Sequence, residues 1–232
     1  MVREELNAPF LRHGDIAELS KLIENGEKPP YDEFVKFVQG EIDPPVEEEA
    51  TRVLIRNKLK DQQESRKFDL IICSPALRAQ QTSELIKQEL DLNCEIHHSE
   101  YLREIKMPMD DITPEFYNNA KDVHEVRAKF IESFLGGKKV DEDIVDTFKR
   151  ASNFLTYFRR VRKWTTHQPL MVTHGMFSRF VDLATKHQGE ELNDEQIKSL
   201  VQQELKQTRR PDTLGGFTLS SSTEGFKILD LV

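Results

Sequence analysis

No run of roughly 18 or more apolar residues occurs in this 232-residue chain, so no membrane-spanning helix is expected. The N-terminal Met1-Val2-Arg3-Glu4-Glu5 carries acids and no apolar segment behind them, so a secretory signal is not expected either. Cysteine is scarce. Cys73 and Cys94 are the only two, each in or beside an apolar run. That usage fits reduced thiols in an intracellular, cytoplasmic protein and not a disulfide framework. Long basic runs are missing and the net charge is −8, which disfavours a nucleic-acid partner. The strongest local exception, Arg159-Arg160-Arg162-Lys163, falls late in an expected helix, where cations suit the negative end of the dipole. Internal repeats and low-complexity segments are absent as well.

What is present is an alternation of strand-like and helix-like patterns. Residues 1–9 are polar, and Pro9 lacks a backbone donor, so the first strand is expected to be very short or to begin after it. A helical turn at Ile16–Leu19 and a loop at Asn25–Pro30 come next. A short helix is expected from Tyr31 to Val38. Glu47–Gln63 reads as an amphipathic helix with Ala50, Val53, Leu54 and Leu59 inward. Phe68–Cys73 is a buried strand that must stop near Pro75, and Leu77–Leu90 a helix with Thr82, Leu85, Ile86 and Leu90 inward. Cys94–His97 is a further strand. The stretch from Glu104 to Gly137 is broken by Met107-Pro108-Met109, Thr113-Pro114 and Gly136-Gly137, with a helix expected between Glu115 and Leu135.

The clearest helix is Asp143–Lys163, where Ile144, Phe148, Ala151, Leu155 and Phe158 recur at three- and four-residue steps. Pro169 opens the strand that ends at His174, and Met176–Thr185 resumes helical spacing. Asn193 caps a polar helix reaching about Gln207. Gly216–Ser220 and Phe226–Val232 form a hairpin. The whole predicts an α/β three-layer sandwich: a largely parallel central sheet, helices on both faces and a C-terminal β-hairpin. Residues 1–232 are expected to form a single domain, with an insertion at about 105–140 over the active site.

Three apolar runs close on chemistry-bearing residues: Phe10-Leu11 on Arg12-His13-Gly14, Leu70-Ile71-Ile72 on Cys73-Ser74-Pro75, and Leu170-Met171-Val172-Thr173 on His174-Gly175. In such sheets ligands sit beyond the carboxyl ends of the strands. Two histidines and two arginines gathered there suit a phosphoryl group. Arginine forks match its oxygens, a neutral imidazole can attack phosphorus, and a carboxylic acid can protonate the leaving oxygen. Cys73 is a rival nucleophile. However, only four residues separate it from Arg78, where cysteine phosphatases need five, and Pro75 removes a donor from the would-be cradle. His97, His98 and His124 lack the partners of a zinc site, so no metal is expected.

Leu11-Arg12-His13-Gly14, Ser74-Pro75-Ala76-Leu77-Arg78-Ala79-Gln80-Gln81-Thr82, Leu102-Arg103-Glu104 and Val172-Thr173-His174-Gly175 resemble, in order and spacing, the signature of the histidine phosphatase superfamily, the phosphoglycerate-mutase-like group. The resemblance implies that His13 is the nucleophile that becomes phosphohistidine. It implies that Arg12, Arg78 and His174 form the phosphate pocket, with His174 also catalytic. Glu104 is implied as the proton donor, with Glu100, Asp110 and Asp111 nearby as substitutes. No cofactor is implied. After Gly14, Asp15-Ile16-Ala17 replaces the asparagine- and tryptophan-containing stretch of the glycolytic mutases, which favours phosphomonoester or phosphoamidate hydrolysis over mutase activity. After Glu104, Ile105-Lys106-Met107-Pro108 stands where many members have glycine and tryptophan. A small-molecule phosphate ester is the expected substrate, a phosphoprotein the alternative, with neither nucleic acid nor membrane as partner. A phosphomutase and a non-catalytic phosphate-binding module are the competing readings.

Overall fold

The computed structural model describes residues 6–12, 28–65, 68–162, 168–206, 216–221 and 226–231. In chain order the elements are β1 (Leu6–Arg12), α1 (Tyr31–Gln39), α2 (Glu48–Ser65), β2 (Phe68–Cys73), α3 (Leu77–Glu89), β3 (Glu95–His98), a 3-10 turn (Glu100–Leu102), α4 (Pro114–Asn119), α5 (Val123–Leu135), α6 (Ile144–Arg162), β4 (Gln168–Thr173), α7 (Gly175–Lys186), α8 (Asp194–Lys206), β5 (Gly216–Ser221) and β6 (Phe226–Leu231). The strands form one sheet in the order β3-β2-β4-β1-β5-β6. β3, β2, β4 and β1 run parallel, and the β5–β6 hairpin adds to β1 in the opposite sense.

Two-residue alternation along the central strands fills two cores. Leu70, Ile72 and Met171 face one way, against Phe154 and Phe158 of α6 and Phe177 and Phe180 of α7. Ile71, Cys73, Leu170 and Val172 face the other, against Ile55 and Leu59 of α2 and Leu85 and Ile86 of α3. Helices therefore cover both faces of the parallel strands, as the sequence pattern predicts. A third apolar cluster joins Phe34 of α1 to Ile112, Tyr117, Val126 and Phe130. No helix among the described residues is long and apolar enough to cross a membrane.

Three local expectations are corrected. β1 runs through Pro9 instead of starting after it. The parallel ladder with β4 begins only at Phe10, and Pro9 is opposed by β5 alone, at Thr218. A missing donor costs least where one side of a strand carries no ladder. On α2 the inward residues are Thr51, Ile55 and Leu59, while Ala50 and Val53 are exposed and Leu54 is half-buried. The four-residue step wins, and a threonine takes the place expected of an aliphatic residue. Between Glu115 and Leu135 the chain makes two helices. The Lys28 ammonium gathers the carbonyls of Tyr117, Asn118 and Ala120 at the end of α4. Asp122 then caps α5 by accepting from the Glu125 amide at 2.9 Å, while Glu125 accepts from the Lys121 amide at 2.7 Å. The expected turn at 16–19 lies outside the described residues.

The expected cap of α8 is present in reciprocal form: Asn193 accepts from the Gln196 amide at 3.0 Å, and Gln196 accepts from the Asn193 amide at 2.9 Å. Asn193→Ala is therefore expected to lower stability by about 1 kcal/mol. Phe154→Ala, which empties a fully buried site on α6, is expected to cost about 3–5 kcal/mol. Urea unfolding of the two variants checks the ranking, and an inverted order would contradict this account of the core.

Candidate active site

Where β2 and β4 end, the chain leaves the sheet with its pairing intact. Cys73 is in register with Val172, and the Ser74 amide donates to the Val172 carbonyl at 2.9 Å. Ser74 and His174 are thus side by side, both fully buried, and the imidazole Nε2 lies 2.8 Å from Ser74 Oγ. Thr173 Oγ1 donates to the Leu102 carbonyl at 2.8 Å, which ties the 3-10 turn before Glu104 to the end of β4. Both strand ends lead into helix starts. His174 is the residue before α7, and Ala76 the residue before α3. Two positive helix ends therefore converge on one edge of the sheet, an arrangement that favours an anion.

Arg78, in the first turn of α3, crosses to this edge. One Nη2 hydrogen points at His174 Nδ1, 3.3 Å away, and Nη1 donates to Asp43 Oδ1 at 2.7 Å. Its Nε is buried and has no hydrogen-bond partner among the described residues. A guanidinium only donates, so His174 Nδ1 is the acceptor and the ring proton sits on Nε2, given to Ser74 Oγ. Phe37 of α1 backs the guanidinium, 5.7 Å from its central carbon to the ring centroid.

Glu104 completes the group. Its Oε2 lies 3.8 Å from His174 Nδ1, and its Oε1 accepts from the Ile105 amide at 3.0 Å. Burial pushes this carboxyl above the ordinary glutamate range, against the pull of that amide and of Arg78, Arg127 and Arg150. Arg150 of α6 fixes the chain just before Glu104. It donates to the carbonyls of Tyr101 at 2.6 Å and Arg103 at 3.0 Å, and pairs with buried Glu142 at 2.5 Å. The competing acids are placed differently. Glu100 and Asp110 are exposed. Asp111 is bound to Ser133 and Lys138, each at 2.5 Å, which holds its carboxyl below the usual range.

The structure thus brings Arg78, His174 and Glu104 together. Arg12 is the last residue of β1, in register with Thr173, so its backbone ends one position before His174 on the neighbouring strand. The next residue, His13, lies outside the described residues. Cys73 is fully buried on the face that packs against α2 and α3, and burial pushes its thiol up to about 11. A thiol in that state is a poor nucleophile. Asp43, in the stiff Asp43-Pro44-Pro45 stretch after α1, joins the site across 35 residues of separation. The Ser74 contact was equally unforeseen, although the Ser-Pro pair that places it was conspicuous.

Comparison with known proteins agrees with this geometry. A family model described as the histidine phosphatase superfamily, branch 1, matches residues 10–203. A search of curated proteins by sequence found no match. Among solved structures, the mycobacterial glucosyl-3-phosphoglycerate phosphatase is similar at TM-score 0.60 and 15% identity, over 97% of this chain and 97% of that one. A phosphoserine phosphatase mutant from Entamoeba histolytica, in complex with phosphoserine, is similar at TM-score 0.59 and 16% identity, over 97% and 95%. A phosphoglycerate mutase from Bacillus anthracis is similar at TM-score 0.60 and 13% identity, over 98% and 92%. At such identities the likeness carries the fold alone, whereas the family model spans most of the chain: the protein belongs to the histidine phosphatase superfamily, branch 1.

Proposed function

We propose that the protein is a phosphoric monoester hydrolase that passes the phosphoryl group through a phosphohistidine on His13. The observation that carries this reading is the buried His174 beside Arg78, with Glu104 biased toward its acid form next to both. Arg12, Arg78 and His174 hold the phosphate oxygens. An imidazole nitrogen of His13 bonds to phosphorus as the bond to the leaving oxygen breaks, and Glu104 gives that oxygen its proton. In the second half, the Glu104 carboxylate takes a proton from water. The water oxygen bonds to phosphorus, the nitrogen–phosphorus bond breaks, and phosphate leaves. Ser74 Oγ accepts the Nε2 proton of His174, which fixes the plane of the ring beside Arg78.

The names of the mycobacterial and Entamoeba relatives support a small phosphate ester as substrate, with a phosphoprotein as the alternative. We place the 105–140 stretch over the pocket, where it selects the leaving group. The similarity to a phosphoglycerate mutase supports a second reading, in which a substrate hydroxyl replaces water as the acceptor.

Three outcomes are expected. Turnover of an aryl phosphate should continue in chelator and fall by roughly 10³-fold or more in His13→Ala. A labelled phosphoenzyme should be trapped by alkaline denaturation in the wild type alone. Unimpaired turnover in the variant rejects the mechanism, phosphate binding without phosphoenzyme favours a binding module, and exchange exceeding phosphate release favours a mutase. Glu104→Gln should lower kcat by roughly 10²–10⁴-fold and abolish the loss of rate as pH rises through the acid's raised value. The same substitution has a stability signature. A carboxyl raised by folding favours the folded state fully below about pH 4 and loses that contribution as pH climbs through the folded value. Glu104→Gln should therefore melt higher than wild type at pH 8, with the difference closing toward pH 4. A variant less stable at pH 8 would contradict the burial argument.

A further inference from the structure

We propose that Asp43 is a positioning residue for the reaction, holding the Arg78 guanidinium so that its other edge faces the phosphate. The proposal rests on the phosphate-pocket reading above. A guanidinium is a rigid plane with two usable edges. Asp43 Oδ1 takes Nη1 at 2.7 Å, the end remote from Nε, while Nη2 is directed at His174 Nδ1. The Nε–Nη2 edge therefore lies on the His174 side, where Nε is buried without a partner among the described residues. Asp43 grips the end that an anion beside His174 does not need, so carboxylate and phosphate can engage the same arginine at once.

The segment carrying Asp43 is built to hold still. Gly40 ends α1 in the left-handed region, φ +77°, and the amides of Glu41 and Ile42 turn back to the Lys36 carbonyl at 2.8 and 3.2 Å. Pro44 then restricts Asp43 to extended backbone. Beyond the prolines, the Val46 amide donates to Gln81 Oε1 on α3 at 3.0 Å. The second carboxylate oxygen, Oδ2, accepts from the Leu77 amide at the start of α3. The guanidinium is thus held against its own helix by a loop tied down at both ends, with the Phe37 ring as backing. The Arg78 side chain keeps 12% of its surface exposed and that of Asp43 33%, so the guanidinium is shielded from water while the carboxylate stays partly hydrated.

Inorganic phosphate is the probe, read as a competitive inhibitor of aryl phosphate turnover and by calorimetry. Asp43→Asn preserves volume and an acceptor for the Leu77 amide, and Asp43→Ala is the second variant if the first perturbs folding. Asp43→Asn should weaken phosphate binding about tenfold, with a matching loss in kcat/KM, while Tm stays within a few degrees of wild type. Placed in an Arg78→Met background it should cause no further loss, because Asp43 acts only through Arg78. An equal loss in both backgrounds would mean that Asp43 serves helix α3 and not the pocket. Tighter phosphate binding in Asp43→Asn would mean that the carboxylate competes with the anion. Either result overturns the proposal. If Arg78→Met alone binds phosphate as well as wild type, the pocket assignment itself fails, and that arm shows it separately.

Discussion

The parallel register of β2, β4 and β1 is the constraint on which the site depends. Cys73 opposite Val172, and Thr173 opposite Arg12, stop the strands level with one another. Ser74 and His174, which follow β2 and β4, are then delivered to one edge, 100 residues apart in the chain. Side chains alternate along a strand, so a one-residue slip of β4 would exchange its two faces. Met171 would turn toward α2 and α3, and Leu170 and Val172 toward α6 and α7. Both of those spaces are already filled by side chains sized for the present register. Close packing on two faces thus fixes the edge where the chemistry is gathered, although none of the packed residues takes part in it.

Around Arg78 two carboxyl groups are handled in opposite ways. Asp43 pairs with the guanidinium directly at 2.7 Å. Glu104 sits near the same cation, yet the hydrogen bond it accepts comes from a backbone amide, that of Ile105. Arg150, a further cation nearby, is engaged with other groups. It spends its donors on Glu142 and on the carbonyls of Tyr101 and Arg103, just before Glu104 in sequence, and its guanidinium lies 3.9 Å from the centroid of the Phe177 ring. The segment leading to Glu104 is therefore fixed through its backbone. Burial can then outweigh the attraction of the arginines and keep this carboxyl closer to its protonated form. A direct cationic partner would have favoured the ionised carboxylate instead.

The fold was legible where pattern and packing coincide. The strand Phe68–Cys73 and the helices α3, α6 and α7 follow from apolar spacing, because the strand is buried on both faces and each helix sets its large apolar side chains against a core. It was less legible where polar atoms decide. Thr51 lies on the buried face of α2, and the Asp122–Glu125 cap divides a stretch whose apolar pattern suggests one helix. Pro9 misled because the side of β1 that carries no ladder there is a property of the sheet and not of the strand. In the site, Arg78, His174 and Glu104 could be found because each stands beside a strand end or within a compact local pattern. Asp43 could not. Its partners are 34 and 35 residues away, and only the stiffness of Asp-Pro-Pro marked it at all.

The third apolar cluster explains how the two walls of the pocket can be made by distant segments and still agree. Phe34 packs with Ile112, Tyr117, Val126 and Phe130, and the Tyr117 hydroxyl donates to the Pro29 carbonyl at 2.6 Å, so α1 is packed directly on the 105–130 stretch. One turn further along α1, Phe37 backs Arg78, and the chain then runs on to Asp43. On the other wall, Met107, three residues past Glu104, packs against this cluster and also against the core beneath α6 and α7. A change in the shape of the cluster would therefore reach Arg78 and Glu104 together. On the proposed function, this lets the leaving-group pocket vary in outline while the two groups that must act in concert keep their spacing, because both are referred to the same packed surface.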